Sequence, residues 1–360
     1  MGLHTPIETH RPPGAFGIEI LDLRHFSAQH LRPLLERESR LWAQLMSWDY
    51  RPSMEMILRY IDSKILPGYA AVANGSIGGY AFFVYEGSKG VIGDLFADGT
   101  IQLPGEPGIP AESVECRLAT HVIETLQRSP GIQRIEAQLL PHECGALSAP
   151  FLREGFCQYP RLFMVLPLNS ASDGSRSVPS LQWHDLHSYR SSLAAPPKIT
   201  SLPDIEYRRW TETDFQSAAA VITGCYRGHI DSEINDQYRS LNGSLRFLNN
   251  IVRFPGCGVF ETNASFVAIH RSTRTIAGLL LCSRVRDDVG HVTQVCVVPE
   301  QRGRLIGESL IGLCTQELRA RHFSALSLTV TEANVKAVDL YRRLGFSTKR
   351  RFDAFVWESR

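Results

Sequence analysis

Residues 295–310 combine residue types that can build an anion site from backbone. An apolar strand pattern at 295–298 runs into a basic turn containing Gly303, and the turn opens a helical pattern. N–H groups at a helix N-terminus lack intrahelical partners, and the helix dipole adds about half a positive charge there. Glycine lets a ligand approach the backbone closely. The stretch is therefore typical of a site for a phosphate or pyrophosphate group.

A second segment with chemical potential follows. Asn334 stands at the start of a helical pattern, where its side chain can cap the helix, and Tyr341 lies further along on the same face. Together, residues 295–307 and 334–346 resemble motifs A and B of the GNAT acyl-CoA N-acyltransferases. The resemblance covers about residues 204–358.

The resemblance implies that the basic turn binds the pyrophosphate of acetyl-CoA through its amides. The family pattern is Q/R-x-x-G-x-G/A, and its six positions are held here by Arg302, Gly303, Arg304, Leu305, Ile306 and Gly307. Leu305 departs from the pattern, since glycine is usual there. A leucine either holds the loop amides further off or imposes a different φ. Arg302 and Arg304 can compensate through direct phosphate contacts.

The resemblance also assigns roles on either side of the turn. The strand with Val295, Cys296 and Val297 is expected to splay from its neighbour, often at a bulge, and to pair with the pantetheine arm. An N–H near Val297 would polarise the thioester carbonyl. Asn334 would touch the cofactor arm, and Tyr341 would be the general acid to the leaving thiolate. The alternative is an ordinary core strand, a helix cap and a core tyrosine.

The general base has two sources in the sequence. His291 occupies the place of the glutamate of histone-type relatives, and its imidazole titrates near neutrality; a solvated turn histidine is the alternative. The polar link between two predicted helices contains His229, Asp231 and Glu233, which can hold an amine or act as a base, or can form a solvated loop. Gln294 is expected to line the same cleft but cannot titrate.

The C-terminal part supplies a scaffold in the order β-α-α-β-β-β-α-β-α-β. The predicted elements are a strand at 205–208, helices at 214–226 and 237–251, strands at 264–270, 275–285 and 291–298, a helix at 305–321, a strand at 325–331, a helix at 334–344 and a strand at 351–357.

The N-terminal part repeats this order, which indicates a tandem protein. Its predicted elements are a strand at 18–21, helices at 28–45 and 54–65, strands at 69–73, 80–85 and 91–96, a helix at 112–126 and a strand at 134–140. The copy looks degenerate. Residues 97–110 contain no Arg or Lys, Asp98 and Glu106 would repel a pyrophosphate, and Phe151 stands in the place of Tyr341 but cannot donate a proton.

Length and composition fit two domains. A chain of 360 residues exceeds one ordinary core, and the Ser- and Pro-rich stretch at 169–203 predicts a linker between a degenerate domain at 1–168 and a catalytic domain at 204–360. The expected fold class is α/β (α+β), with two GNAT-like domains. Each would be a mixed, mostly antiparallel twisted sheet flanked by helices.

Charge and cysteine usage exclude several classes of protein. A net charge of +1 gives no general attraction to nucleic acid or membrane, and no run reaches the roughly 18 apolar residues of a membrane span. The N-terminus has no apolar signal region. The eight cysteines lack metal-ligand spacing, so no metal is expected, and reduced thiols in the cytoplasm are favoured.

The resemblance implies an N-acyltransferase that moves an acetyl group from acetyl-CoA directly to a primary amine in a ternary complex. The N-terminal copy would cover the acceptor cleft, bind part of the substrate or replace a homodimer partner. Three alternatives stay open: mycothiol-synthase-like acetylation of a small aminated metabolite, a longer acyl donor, and a non-catalytic acyl-CoA-binding module. The acceptor is a small-molecule or peptide amine, and the protein is a monomer or a homodimer.

Overall fold

The computed structural model describes residues 18–99, 113–168, 199–253 and 258–359. The N-terminal half of the described chain contains β1 (Glu19–Asp22), α1 (Ala28–Met46), α2 (Arg51–Asp62), β2 (Gly68–Ala73), β3 (Ser76–Glu86), β4 (Lys89–Ala97), α3 (Val114–Arg128), β5 (Arg134–Gln138), α4 (Ser148–Arg153) and β6 (Cys157–Pro167). All of these elements except α4 and β6 were predicted. α4 contains Phe151, which was predicted to stand in the place of Tyr341.

The C-terminal half follows the predicted order with two additions. It contains β7 (Ile205–Arg209), α5 (Phe215–Cys225), α6 (Ile230–Ile234), α7 (Leu241–Arg253), β8 (Val259–Phe260), β9 (Phe266–His270), β10 (Ile276–Arg286), β11 (Val289–Val297), α8 (Ile306–Ala320), β12 (Ala325–Thr331), α9 (Val335–Arg343) and β13 (Ser347–Glu358). The polar link after α5 holds the short helix α6 and a 3-10 turn at Asp236–Arg239, so the helix predicted from residue 237 begins later.

A single 13-stranded sheet runs through both halves. The strand order is β1-β2-β3-β4-β5-β13-β6-β12-β11-β10-β9-β7, and β8 pairs with β10. Among the described strands, β4–β5 and β11–β12 are the parallel pairs and the rest are antiparallel. The predicted mixed, mostly antiparallel sheet flanked by helices is therefore confirmed, although the two halves share one sheet.

The last strand of each half completes the sheet of the other half. β13 from the C-terminal half pairs with β5, and β6 from the N-terminal half pairs with β12. The two exchanged strands pair with each other in the middle of the sheet. Residues of β6 are thereby placed beside the C-terminal site. Most of the predicted linker lies outside the described residues, so the domain boundaries at 168 and 204 stay a prediction.

The strand register confirms the internal repeat. β4 has a bulge at Gly93 and β11 has one at Thr293, and in both strands the parallel pairing ends just before the bulge. In both strands the second residue is a glycine that lies under a helix. A Cβ at Gly90 would lie 2.6 Å from Leu126 of α3, and one at Gly290 would lie 2.8 Å from Leu318 of α8. Each glycine thus lets its helix pack closely on the sheet.

Helices cover both faces of each half. One face packs under α3 in the N-terminal half and under α8 in the C-terminal half, and these helices bury apolar side chains at helical spacing. The opposite face packs under α1 and α2 in the first half and under α5 and α7 in the second. A further apolar cluster joins the halves and includes Trp48, Phe163 and Phe352.

Candidate functional site

A cavity of about 860 Å³ opens where β11 and β12 separate. Parallel pairing joins the two strands from Val289 and Ala325 only as far as Val292 and Leu328, and the bulge at Thr293 follows. Beyond the bulge, β11 remains paired with β10 but no longer pairs with β12. The cavity is lined by both sides of this gap, by the link around α6, and by α7 and α9.

The part of β11 beyond the bulge directs unpaired main-chain groups into the gap. The Val298 N–H donates to the Ala277 carbonyl on β10 at 2.9 Å. Because successive residues of a strand direct their N–H groups to alternate sides, Val295 and Val297 direct theirs away from β10 and toward the gap. The Val297 carbonyl accepts from Arg302 Nε at 3.1 Å. The two N–H groups can therefore pair with an extended ligand as a neighbouring strand would.

The basic turn keeps a glycine-like backbone at its leucine. Gly303 has a φ of +76° and Leu305, the residue before α8, a φ of +62°. An L-residue in this left-handed region costs about 1–2 kcal/mol. The Leu305 side chain is 51% exposed and is absent from the apolar clusters of the described residues, so it does not occupy the turn. The sequence predicts that leucine either holds the loop amides further from a ligand or imposes a φ different from that of glycine. The structure does not show a different φ, because Leu305 adopts the positive φ that is typical of glycine.

The first turn of α8 faces the end of the gap. Ile306, Gly307 and Glu308 precede the first residue whose N–H is bonded within the helix, Ser309, which donates to Leu305. Gly303 and Gly307 line the cavity. Amides without intrahelical partners at a helix N-terminus can bind an anion, and an anion site here stays a prediction.

Both arginines of the turn have protein partners. Arg302 lines the cavity and also donates to the Cys225 carbonyl at 3.2 Å. Arg304 forms an ion pair with Asp204 at 2.6 Å, and its hydrogen bond lowers the pKa of Asp204. A direct phosphate contact is thus compatible with the position of Arg302, whereas Arg304 must first leave Asp204.

Asn334 and Tyr341 lie on the far side of the gap. Asn334 caps α9 by accepting the Ala337 N–H at 3.4 Å, and its Nδ2 lies 3.3 Å from His229 Nε2. Tyr341 is 8% exposed and lines the cavity, and its hydroxyl has no hydrogen-bond partner within the described ranges. Burial and, secondarily, the charge of Asp231 raise the pKa of Tyr341. The phenol therefore keeps its proton at neutral pH.

The polar link around α6 brings two titratable groups to the same cavity. His229 Nδ1 accepts the Asp231 N–H at 3.2 Å and lies 3.5 Å from the Asp231 carboxylate. The hydroxyl of Thr331 on β12 donates to that carboxylate. Both His229 and Asp231 line the cavity with Tyr341. Glu233 lies apart from the cavity lining and pairs with Arg239 at 2.9 Å.

His291 is a buried strand residue and not the solvated turn residue of the alternative reading. It is 5% exposed and lies between the rings of Trp48 and Phe163, at centroid distances of 5.0 and 6.0 Å. Its Nδ1 lies 2.9 Å from Ser327 Oγ. Burial, and then the charge of Arg161, lower the pKa of His291 to about 3. An imidazole with that pKa is a weak proton acceptor. His291 nevertheless lines the cavity, and its role as the base stays a prediction.

Among the cavity residues that the sequence did not predict are two from the N-terminal half, Gln138 and Arg161. Both belong to the N-terminal half and reach the C-terminal site through the central strands of the shared sheet. No local pattern marks them, because their position depends on the strand exchange.

The equivalent place in the N-terminal half is filled by side chains. Asp94 takes the register position of Gln294 and accepts from the hydroxyls of Tyr50 and, at 3.2 Å, Tyr80. Tyr80 also donates to Glu38 at 2.6 Å. All four of these side chains are buried. The predicted loss of the basic turn falls mainly at 100–112, outside the described residues.

Ion pairs tie the link over the cavity to the N-terminal half. The buried Lys89 Nζ lies 2.6 Å from Asp236 and 3.2 Å from Glu136, and the Asp236 N–H donates to Glu136 at 2.9 Å. Arg134 donates to the Glu233 carbonyl at 2.5 Å. The segment that carries His229 and Asp231 is therefore held from outside its own half.

In the C-terminal half, a strand leaves its parallel neighbour at a bulge, beside a helix N-terminus and a tyrosine. The model of the acetyltransferase (GNAT) family matches residues 208–346. Residues 208–346 thus form a domain of the GNAT family, and the N-terminal half repeats the bulge and the parallel pairing of that domain.

Solved structures share this fold over most of the chain. A GCN5-related N-acetyltransferase from Sphaerobacter thermophilus is 16% identical with a TM-score of 0.55, covering 88% of this chain and 91% of its own. A tandem GNAT protein from the clavulanic acid biosynthesis pathway is 14% identical with a TM-score of 0.52, covering 95% and 98%. The glucosamine N-acetyltransferase region of a fungal β-N-acetylglucosaminidase is 16% identical with a TM-score of 0.57, covering 96% of this chain and 38% of that one.

No curated protein matches the sequence. Each helix in the described ranges is too short or too polar to cross a bilayer.

Proposed function

We propose that the chain transfers an acetyl group from acetyl-CoA directly to a primary amine in a ternary complex. The observation that carries the proposal is the gap between β11 and β12. At one end lies the N-terminus of α8, and along it lie the unpaired N–H groups of Val295 and Val297. Tyr341 faces the gap from the opposite side.

These groups match the parts of acetyl-CoA. The amides at Gly303, Ile306 and Gly307 would hold the pyrophosphate, and Arg302 would add a charge-assisted contact. Val295 and Val297 would pair with the pantetheine arm through their backbone N–H groups, and Asn334 would contact it from α9. The main chain of Cys296 faces β10, so this residue would contribute only its side chain, which lines the cavity. The extended β11 edge offers such an arm the hydrogen bonds of an added strand.

Two groups would act on the reacting thioester. The Val297 N–H would donate to the carbonyl oxygen as negative charge develops, an effect worth about 3 kcal/mol for a comparable donor. Tyr341 would donate its proton toward the departing sulfur. The raised pKa of Tyr341 keeps that proton in place until the C–S bond breaks.

His229 is the better candidate for the base than His291. The amine must lose a proton to attack, and His229 lies in the cavity beside Asp231, which can orient its ring. His291, with a pKa of about 3, would serve as a wall of the acceptor end.

The N-terminal half would complete the acceptor side and take the place of a homodimer partner. The exchange of last strands within one chain supports this reading. The cysteines of the described residues form no disulfide, which supports a cytoplasmic location.

A charge placed at the α8 N-terminus tests the acetyl-CoA site. A Cβ at Gly307 would meet Val297 at 3.6 Å, an ordinary contact, so a side chain fits there. Gly307→Glu would place a carboxylate where the pyrophosphate binds, and Gly307→Gln is a neutral control of the same size. Calorimetry should show that the wild type binds one acetyl-CoA per chain. The Gly307→Glu variant should bind acetyl-CoA at least tenfold more weakly than the Gly307→Gln variant. Equal affinities for the two variants would contradict the site.

A non-catalytic acyl-CoA-binding module is the second candidate, since Leu305 stands where glycine is usual. Acetyl-CoA binding without thiol release in the presence of amines would favour it.

A further inference from the structure

Arg161 places a positive charge in the cavity without a carboxylate partner among the described residues. It lies on the exchanged strand β6, and its Nη1 donates to Gln138. The guanidinium carbon lies 6.0 Å from the centroid of the Phe352 ring. Its Nε is buried and has no hydrogen-bond partner among the residues that the structure describes. A guanidinium with a free donor in a cavity is suited to bind an anionic group of a ligand.

The charged residues that line the cavity fall into two groups. Arg302 lies in the turn before α8 and Lys336 lies in the first turn of α9, both beside the proposed acetyl-CoA site. Arg161 and Asp231 lie at the acceptor side. Thr331 connects the latter two, since it is opposite Arg161 in the strand register and its hydroxyl donates to Asp231. The side of the cavity that would bind the acceptor thus has the Arg161 cation and the Asp231 carboxylate, with Thr331 between them.

Gln294 provides a second donor without an oxygen or nitrogen partner in the described part of the chain. It is 3% exposed, it lines the cavity, and the group beside its Nε2 is the Cys296 thiol, a weak acceptor. The bulge at Thr293 puts Gln294 on the same face of β11 as His291. This face lines the side of the cavity that would bind the acceptor amine. A buried donor left unpaired costs about 1–3 kcal/mol unless a ligand satisfies it. A ligand with oxygen acceptors would supply that partner.

We propose that the acceptor is an amine that also carries a carboxylate, such as an α-amino acid. Asp231 receives the amine end, and Arg161, together with Gln294, receives the carboxylate. The inference rests on the proposed function and names the substrate class of the same site. The amine nitrogen forms a bond to the acetyl carbon and the C–S bond breaks. The amine loses one proton to the base and the thiolate gains one, which gives an N-acetylated acid and CoA.

Matched trios of amines test the inference. Each trio consists of an α-amino acid, its amide and its decarboxylated amine, and CoA release is measured for the wild type, Arg161→Gln and Arg161→Lys. For at least one trio the wild type should prefer the acid over its amide by tenfold or more in kcat/KM. Arg161→Gln should raise KM for the acid about 10- to 100-fold, the loss expected for a hydrogen bond to a charged group. KM for the amide and for acetyl-CoA should not change, and Arg161→Lys should lie between.

Gln294→Leu is a second variant that removes the other donor. It should reduce the preference for the acid in the same direction and by a smaller factor. Turnover of amines without preference for the acid, or a preference that survives Arg161→Gln, would overturn the inference while the proposed function stands.

If no trio gives CoA release, the result would contradict the proposed function and would leave the inference about the acid to be tested by binding. The same trios are then titrated into the protein in the presence of CoA. Binding of an acid that disappears in Arg161→Gln would support the site, and failure of every acid to bind would overturn it.

Discussion

Phe151 and Tyr341 hold equivalent positions in the two halves of the chain. The carbonyl of Phe151 accepts the Phe156 N–H at 3.1 Å, and that of Tyr341 accepts the Phe346 N–H at 2.9 Å. Their surroundings differ. Phe151 is fully buried and stacks on Phe355 with ring centroids 4.0 Å apart, whereas Tyr341 faces the cavity. The same backbone position therefore packs a core in one half and offers a hydroxyl to the site in the other.

Removal of that hydroxyl should slow acetyl transfer. Tyr341→Phe should lower kcat by about 100-fold, the lower range for loss of a general acid, and leave acetyl-CoA affinity within twofold. Steady-state CoA release and calorimetry measure the two quantities. Tyr207→Phe is the matched control, because the Tyr207 hydroxyl is buried, has no partner within the described ranges and lies away from the cavity lining. Undiminished kcat in Tyr341→Phe would refute the role of acid.

Leu305→Gly should stabilise the protein and preserve binding. Leu305 has a φ of +62°, and glycine would relieve that strain at some cost in the entropy of the unfolded chain. We expect a gain of about 0.5–1 kcal/mol in the free energy of unfolding, and acetyl-CoA binding at least as tight as in the parent.

His322→Gly is the control for Leu305→Gly. His322 has the same φ of +62° at the other end of α8, so it should give a similar gain without any effect on acetyl-CoA. Weaker acetyl-CoA binding in Leu305→Gly would show that the leucine side chain itself contributes to the site.

The sequence predicted the local elements of the fold and the position of the acetyl-CoA motifs. Helix and strand bounds in the C-terminal half follow from apolar periodicity, and the repeat follows from element order and from the motif at Phe151 and Tyr341. Asn334 caps its helix as expected. The backbone of the 302–307 turn was also predictable, except that Leu305 adopts the glycine conformation despite its Cβ.

The strand exchange was beyond local prediction. β6 contains Pro160 and Arg161 and follows directly on the repeat motif, so its sequence does not stand out as a central strand. Its partners, β12 and β13, are far away in the chain. The roles of Gln138 and Arg161 in the cavity follow from that pairing alone. The burial of His291 was unpredictable for a similar reason, because the rings that flank it, those of Trp48 and Phe163, come from the other half.

Lys89 should matter to the acceptor site although it lies outside the cavity lining. Lys89→Met would leave Glu136 and Asp236 without their shared cation, and breaking a buried ion pair costs about 3–5 kcal/mol. Since Asp236 belongs to the link that carries His229 and Asp231, KM for the amine should rise several-fold while acetyl-CoA affinity holds. Chemical unfolding and steady-state kinetics measure both effects.

Arg128→Met provides the comparison for Lys89→Met. Arg128 is 79% exposed and pairs with Glu124 within one helix, so its loss should change neither quantity. Equal behaviour of the two variants would show that the link is positioned without Lys89.

Glu38→Gln should remove a pH dependence of stability. Burial, and then the charge of Asp94, raise the pKa of Glu38 well above its usual range. The folded state therefore binds a proton that the unfolded state has released, so stability falls as pH rises from about 4.5 through the folded pKa. Glutamine cannot ionise, and the variant should gain on the wild type by up to about 1 kcal/mol per pH unit. Thermal unfolding from pH 5 to 8 measures the gain, and parallel profiles would contradict it.

Amine-dependent release of CoA from acetyl-CoA tests the central claim most directly. The wild-type chain is assayed with amino acids, polyamines, aminoglycosides and peptide N-termini, and mass spectrometry identifies the product. We expect at least one amine to raise thiol release about 100-fold above hydrolysis, with an equal yield of N-acetylated amine. The rate of this release should fall tenfold or more in Tyr341→Phe and in Gly307→Glu. Tight binding of acetyl-CoA with no amine-dependent release across the panel would contradict it.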